Sequence, residues 1–265
     1  MPEGDVLRWT AARLDRALAG RQIIETQLRW PSAAGVTFDG RTVLGSNAYG
    51  KHLFTRFDDG RTLHTHLRMD GVWRVRDADA PARSARIRAV LRATVSTAIG
   101  IDLGMLDVVP TRSEHELIAR LGPDLLAEDF VDRLPQALLR WVGAGQTPVA
   151  EVLLDQTVVA GIGTIFAAET LYARRTWPWT PAAEVDDPAS VLMTARELML
   201  RSVSGAGATG RPRQPGRVHG RPGMPCHRCG SSIRRGQARR PPMERPIFYC
   251  PRCQSPTGNH AAIDR

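Results

Sequence analysis

The spacing of hydrophobic residues changes along the chain and predicts two kinds of structure in its first half. In residues 5–19 apolar positions recur at near-helical spacing, and Gly20 follows where a helix would end. From about 22 to 110 the chain has short alternating runs such as HLFTRF, TLHTHL, GVWRV and AVLRATV, separated by DG and GR pairs that are typical of turns. The pattern predicts a helix followed by a β-sandwich.

In the second half of the chain the apolar residues recur with a longer period. From about 115 to 203 apolar residues recur at helical spacing, in runs such as EHELIARL, DRLPQALLRWV, VAEVLLDQTVV and SVLMTARELMLRSV. Residues 204–225 are rich in Gly, Arg and Pro and offer few groups to bury, which favours a flexible loop. The predicted fold class is therefore α+β, with the sheet in the first half and the helices in the second.

Composition indicates a globular protein in a reducing compartment. The chain has 265 residues, of which 42% are hydrophobic, enough for the core of one large domain or two small ones. No stretch approaches 18 consecutive apolar residues, and the opening MPEGD has acids where a signal peptide would be basic. All cysteines lie between 226 and 253, so the rest of the chain has none for disulfides. We therefore expect a cytoplasmic protein that does not enter a membrane.

The positive charge is concentrated near the C-terminus. The whole chain carries a net charge of +9, whereas residues 201–265 carry +11 and residues 1–200 carry −2. Clustered arginines are the electrostatic pattern expected of a protein that binds nucleic acid phosphates. A solvated basic tail would have the same composition.

Two C-x2-C pairs, separated by twenty residues, form the strongest motif. Four thiolates at this spacing close a tetrahedral site for one structural Zn²⁺, with each pair at the turn of a β-hairpin. A redox role is the alternative, but redox C-x-x-C motifs usually occur singly at the start of a helix. Five arginines between the pairs would face a phosphate backbone. The predicted ligands are Cys226, Cys229, Cys250 and Cys253.

One residue is distinguished by composition alone. Of the 36 basic residues, only Lys51 is a lysine. A primary amine can lose its proton or attack a carbonyl carbon, which a guanidinium cannot do. Lys51 is therefore a candidate functional residue, although an ordinary surface lysine would look the same.

Several segments together resemble the Fpg/Nei family of DNA glycosylases (formamidopyrimidine-DNA glycosylase and endonuclease VIII). The similarity is in register from residue 2 to about 254. The Pro-Glu-Gly opening and the GVWRV strand resemble the endonuclease VIII branch, to which we assign the chain as closer, whereas the HLRMDG segment is more like the other branch. The segments are PEG at 2–4, YGKHL at 49–53, HLRMDG at 66–71, LLDQTVVAGIGTIFAAETL at 153–171 and RPIFYCPRCQ at 245–254.

The resemblance implies a chemistry for three residues. Pro2, exposed by removal of Met1, would be the nucleophile, because α-amino groups titrate near about pH 7.7–8.0 and a neutral fraction exists at pH 7. Glu3 would be the general acid and base. Lys51 would contact the phosphate at the lesion and assist protonation of the leaving group. Taken alone, a Pro-Glu pair at a terminus would be ordinary solvated chain.

The resemblance also implies four DNA contacts. Met69 would fill the gap left by an extruded base, with core packing as the alternative. Gly163 and Thr164 would lie in the turn of a helix–two-turn–helix motif, where backbone N–H groups approach a phosphate. The family usually has Asn at the position of Thr164, so the chain departs from the pattern there. Arg245 would contact phosphates from the zinc hairpin, unless it is one basic surface residue among many.

The expected protein is thus a bifunctional glycosylase and lyase that excises oxidised bases, pyrimidines preferred, through a Schiff base on Pro2. It would act as a monomer on DNA containing oxidised bases or abasic sites. A non-catalytic DNA-binding protein with the same scaffold is the alternative. The predicted domains are a catalytic β-sandwich domain at 1–112, a helical domain at 113–203, a flexible loop at 204–225, a zinc finger at 226–254 and a tail at 255–265.

Overall fold

A computed structural model of the chain describes residues 2–79, 81–209, 212, 216–239 and 244–256. The chain forms two compact units, Met1–Arg120 and Leu121–Arg265. Within the described ranges, no helical segment combines the length and hydropathy that a bilayer crossing requires.

In its described residues, the N-terminal unit begins with a helix followed by eight antiparallel strands, as the change of hydrophobic period predicts, and a short second helix follows the last strand. The strands form two four-stranded sheets, ordered β1-β6-β7-β5 and β2-β3-β4-β8. Their bounds are α1 Gly4–Leu18, β1 Ile23–Leu28, β2 Val43–Tyr49, β3 His52–Phe57, β4 Arg61–His66, β5 Val72–Asp77, β6 Ile87–Ala93, β7 Ser96–Ile101 and β8 Met105–Pro110.

Helix α1 ends where the sequence predicts. Gly20 follows the last turn with a φ of +71°, a left-handed conformation that glycine adopts without steric cost. The helix buries Leu7 and Leu14, and its Asp15 accepts a hydrogen bond from the Ser46 backbone N–H at 2.9 Å. This bond fixes α1 to strand β2, the strand that leads to the turn holding Lys51.

The two sheets share one hydrophobic core, which confirms the predicted β-sandwich. Phe57 and Leu91 come from different sheets and lie in the same buried cluster. Across the sandwich, the indole N–H of Trp73 donates to the hydroxyl of Thr65 at 3.2 Å. A buried indole N–H needs such a partner, so this bond also fixes the position of β5 against β4.

The first unit extends to Arg120, beyond the predicted boundary at 112. Helix α2 is short, Glu114–Ile118, where the sequence suggested a longer helical run. Glu114 accepts hydrogen bonds from Arg56 on β3 and from Thr62 on β4. These side-chain contacts connect α2 to the sheet, and hydrophobic periodicity cannot reveal them.

The described residues of the C-terminal unit form four helices and a two-stranded hairpin. Helix α5 and the hairpin share a single core, in which Phe166, Ile247 and Cys250 are fully buried. The helices and the cysteine-rich hairpin are therefore packed together, and their separation into two domains stays a prediction. The elements are α3 Phe130–Gly143, α4 Val149–Leu154, α5 Thr164–Arg174, α6 Pro188–Thr209, β9 Arg234–Arg239 and β10 Arg245–Tyr249.

Helix α6 continues past residue 203, which corrects the predicted start of the loop. Its last turns carry small residues that look like a linker in the sequence, yet Ser202 and Ala206 are almost fully buried. Small side chains allow close packing there, so the helix persists through Thr209. Within the rest of the predicted loop, residues 210–211 and 213–215 lie outside the described residues.

Candidate functional site

Pro2 and Glu3 stand at the first turn of α1. The backbone carbonyl of Glu3 accepts hydrogen bonds from the N–H groups of Val6 and Leu7 at 3.0 and 3.2 Å, so Glu3 is the N-cap of a helix that begins at Gly4. Glu3 is only 1% exposed, whereas Pro2 is partly exposed. A carboxyl buried beside Pro2 is unlike ordinary solvated chain. Met1, whose removal the mechanism requires, lies outside the described residues.

Lys51 occupies a two-residue turn between strands β2 and β3. Tyr49 pairs with His52 across the hairpin, which leaves Gly50 and Lys51 at the turn. Gly50 has a φ of +56° while Lys51 does not enter the positive region, as expected for a turn with glycine at its first central position. The sequence thus places the lysine at a hairpin tip through the glycine before it.

Three histidines line the sheet next to this turn, and the sequence analysis missed them. Nδ1 of His52 and Nε2 of His64 are 2.9 Å apart, and the two rings lie nearly parallel. His66 contacts His52 edge-on, with ring centroids 5.4 Å apart. The signal was available in the sequence, since His64 and His66 alternate along one strand and so share a face.

Burial disfavours the charged form of all three histidines. Burial lowers the pKa of His64 to about 4, with a further contribution from the charge of His52. Burial also lowers the pKa of His66 to about 4, and the nearby His52, Lys51 and Arg68 act in the same direction. Burial lowers the pKa of His52 as well. At neutral pH this end of the sheet therefore presents uncharged imidazole rings beside the cations of Lys51 and Arg68.

Met69 projects from a tight loop between β4 and β5. Its side chain is 61% exposed, which excludes the alternative that it packs in the core. The loop closes through a hydrogen bond from the Gly71 N–H to the Leu67 carbonyl at 3.0 Å, and a Cβ at position 71 would collide with the Leu67 backbone. Glycine at 71 is thus required for the loop that exposes Met69.

Gly163 and Thr164 begin helix α5 after the turn that follows α4. Gly163 is the N-cap and Thr164 the first helical residue. Gln156, another residue that the sequence analysis missed, holds the turn. Its side-chain amide donates to the Ile162 carbonyl at 3.0 Å and accepts from the Gly161 N–H at 3.1 Å. The turn is therefore fixed from within, and Thr164 is partly exposed at its end.

Glu169 anchors the segment that follows the undescribed residues 213–215. Its buried carboxylate accepts hydrogen bonds at 2.9–3.0 Å from the backbone N–H groups of Arg217, Val218 and His219. Charge-assisted bonds of this kind are about twice as strong as neutral ones. The sequence signal was weak: one acid within the apolar run IFAAETLY.

The four cysteines converge as the spacing predicts. Their sulfur atoms all lie within 4.8 Å of one another, with Cys229 and Cys250 at 3.4 Å and Cys226 and Cys253 at 3.9 Å. Tetrahedral coordination with Zn–S bonds of about 2.3 Å requires sulfurs roughly 3.8 Å apart. The Arg228 N–H donates to the sulfur of Cys226 at 3.4 Å, a bond that stabilises a thiolate. The cluster fits a structural metal.

Arg245 begins β10 and faces Arg239 across the hairpin, and both are partly exposed. The hairpin is held by Trp179, whose indole N–H donates to the Gln237 carbonyl at 2.9 Å. This hairpin places two arginines opposite each other on β9 and β10. Arg240, another of the five arginines between the cysteine pairs, lies outside the described residues.

Two family models match the chain. The formamidopyrimidine-DNA glycosylase N-terminal domain matches residues 1–102, and the formamidopyrimidine-DNA glycosylase H2TH domain matches residues 121–211. Together the two models cover most of the sequence, one on each compact unit.

Curated relatives and solved structures give the same assignment. A probable endonuclease 8 2 of Streptomyces coelicolor is 39% identical, covering 96% of this chain and 94% of the relative. A DNA-(apurinic or apyrimidinic site) lyase Nei2 of Mycolicibacterium smegmatis is 37% identical over 96% of this chain and 99% of the relative. The fold is similar to that of Lactococcus lactis Fpg in a complex with abasic-site DNA, at a TM-score of 0.79 and 25% identity, covering 96% of this chain and 100% of that one.

Proposed function

Because the chain belongs to the formamidopyrimidine-DNA glycosylase and endonuclease VIII family, on its endonuclease VIII side, we propose that it is a bifunctional DNA glycosylase and AP lyase. It excises oxidised bases, pyrimidines in preference, and cuts the strand at the same position during base excision repair. The observation that carries the proposal is the buried Glu3 carboxyl directly after Pro2, in a chain that matches both domains of the family.

The amine of Pro2 supplies the nucleophile in this proposal. Its nitrogen forms a bond to the sugar C1′ as the glycosidic bond breaks, and the departing base takes a proton. Ring opening of the sugar then gives an iminium ion, whose positive charge draws electrons from the C2′–H bond. Loss of that proton expels the 3′ phosphate by elimination and cuts the strand.

Glu3 serves as the proton donor and acceptor. The buried carboxyl lies at the start of α1, next to the residue whose nitrogen attacks, where it can deliver a proton to the ring oxygen. Once ionised, the same group accepts the proton that the elimination releases. Its position is fixed by the backbone of the first helical turn.

Lys51 and Met69 bind the damaged nucleotide. Strand β3 begins at His52 and its antiparallel neighbour β4 ends at His66, so the turn of Lys51 and the loop of Met69 lie at the same end of the sheet. Lys51 contacts the phosphate at the lesion and assists protonation of the leaving group, and the exposed Met69 side chain fills the gap left by the extruded base.

The C-terminal unit supplies further contacts to the duplex. Gly163 and Thr164 approach a phosphate with the backbone at the start of α5, which adds the helix dipole to the interaction. Thr164 offers a hydroxyl where the family resemblance predicts an amide. One Zn²⁺ bound by the four cysteines fixes the hairpin that presents Arg245.

Activity on defined lesions tests the proposal. We expect borohydride to trap a covalent complex, and incision to occur, on duplexes with a single oxidised pyrimidine, more strongly than on duplexes with 8-oxoguanine. An unmodified duplex and the Glu3→Gln variant serve as controls, and both should remain uncut. Binding to every lesion without incision or trapping would support the non-catalytic DNA-binding protein instead.

Replacing Arg245 by Ala should weaken DNA binding and flatten its salt dependence. Loss of one phosphate contact lowers the slope of log K against log salt concentration by about one. The matched control is Arg201→Ala on α6, whose side chain is 65% exposed and pairs with Glu197 at 3.5 Å. If titrations over a salt series give the same slope for both variants, Arg245 is one basic surface residue among many.

A further inference from the structure

The hydrogen bond between His52 and His64 determines which ring nitrogens carry protons. His64 is 1% exposed, and its Nδ1 is buried with no hydrogen-bond partner in the described part of the chain. Its Nε2 faces Nδ1 of His52 at 2.9 Å, so one of these two nitrogens donates to the other. A neutral imidazole has one N–H and one acceptor nitrogen.

The buried nitrogen decides between the two arrangements. If His52 donated, the proton of His64 would be on Nδ1, leaving a buried N–H without an acceptor, and such groups are rare in native proteins. If His64 donates from Nε2, its Nδ1 holds only a lone pair. The second arrangement is favoured, and it puts the single proton of His52 on Nε2.

His52 consequently presents a neutral donor at the end of the sheet that carries Lys51. His52 is partly exposed, and of its two ring nitrogens only Nδ1 hydrogen-bonds within the described residues. It comes directly after Lys51, and the cations of Lys51 and Arg68 lie close enough to His66 to affect its charge. An anion drawn to these cations would meet an N–H at His52.

We propose that His52 donates a hydrogen bond from Nε2 to a phosphodiester oxygen beside Lys51, and that His64 is the positioning residue that fixes its tautomer. The inference rests on the proposed function, because it needs DNA at this end of the sheet. A neutral donor adds affinity without releasing an additional counterion. His52 therefore differs from Lys51 in a measurable way.

The test uses the full-length protein at pH 8 and a duplex with a tetrahydrofuran abasic-site analogue. His52→Phe keeps an aromatic ring and removes the donor, and we expect about tenfold weaker binding with an unchanged salt slope. His52→Gln returns an N–H₂ donor and should recover part of that loss. Lys51→Gln calibrates the measurement, since its slope should fall by about one.

Four results would overturn the inference. If His52→Phe bound DNA with unchanged affinity, the proposed contact would be excluded. A fall of about one in its salt slope would mean that His52 is charged. Imidazole nitrogen NMR of the free wild-type protein should show His52 with its proton on Nε2, and a proton on Nδ1 would contradict the arrangement without any DNA. If the wild-type protein fails to bind the duplex, the proposed function fails, and this inference fails with it.

Loss of the His64 donor tests the positioning role separately. His64→Phe retains a ring in the stack but cannot donate to His52, so the NMR signals of His52 should show a mixture of tautomers. DNA affinity should fall less than in His52→Phe, because part of the His52 population still carries the Nε2 proton. An unchanged His52 tautomer in a folded His64→Phe protein would exclude the role.

Discussion

A peptide extension ahead of Pro2 is expected to abolish base excision, strand cleavage and borohydride trapping together. Any preceding residue, including a retained Met1, converts the Pro2 nitrogen into an amide. The lone pair of an amide is delocalised into the carbonyl group, so the nitrogen cannot attack C1′. The measurement is incision and trapping by a protein that carries an uncleaved N-terminal tag.

The matched control is the same protein after proteolytic removal of the tag to leave Pro2 at the terminus, which should restore activity. Zinc content and thermal unfolding should be equal in the two forms. Full activity of the tagged form, confirmed by mass as uncleaved, would exclude the Pro2 nitrogen as the nucleophile.

Loss of the metal should have the second large effect. We expect one zinc per chain, and its removal by chelation or by Cys226→Ser should abolish DNA binding. Cys226 and Cys250 are buried in the same cluster as helices of the C-terminal unit, so the site supports more than its own hairpin. Structural zinc contributes about 10 kcal/mol or more to the folding free energy of small zinc modules. Losing even a fraction of that stabilisation would lower the Tm of this unit by about 10 °C.

His227→Ala provides the control for the metal experiment. His227 lies within the first C-x2-C pair, is exposed, and is not a predicted ligand because four thiolates already complete the shell. The His227→Ala protein should bind one zinc per chain and unfold at the same Tm as the wild-type protein. Folded, active protein that contains no metal would refute the assignment of the four cysteines.

The parts of the fold that the sequence predicts depend on local rules. Gly20 ends α1 because of its own backbone conformation, and the C-x2-C spacing predicts the four cysteines that the structure brings together. The β-sandwich follows from alternation within each strand. Residues close in sequence determine the end of α1 and the alternation within each strand, whereas the two cysteine pairs meet across 21 and 27 residues and were found by their motif.

The features that the sequence analysis missed depend on contacts between distant residues. Glu114 binds Arg56, 58 residues away, and so keeps α2 with the first unit. Glu169 binds backbone N–H groups 48 to 50 residues further on. The pair formed by His52 and His64 requires the register of two strands. Hydrophobic period does not encode such partners, although a lone acid in an apolar helix and alternating histidines are hints.

The candidate site also divides into residues that local motifs reveal and residues whose roles depend on contacts between distant positions. Pro2, Glu3 and Lys51 could be named from short motifs, and the structure shows a buried carboxyl and a hairpin tip at two of these positions. The supporting residues Gln156, which fixes the turn before α5, and His64 have no motif of their own. Their roles follow only from hydrogen bonds made after folding.

Identification of the trapped residue tests the central claim most directly. The wild-type protein with a free N-terminus is reduced with borohydride on a duplex containing an oxidised pyrimidine, digested, and examined by mass spectrometry. The account predicts the sugar adduct on the nitrogen of Pro2, in the N-terminal peptide. Lys51 is the only lysine in the chain and hence its only side-chain primary amine. An adduct on Lys51, with Pro2 unmodified, would contradict the mechanism.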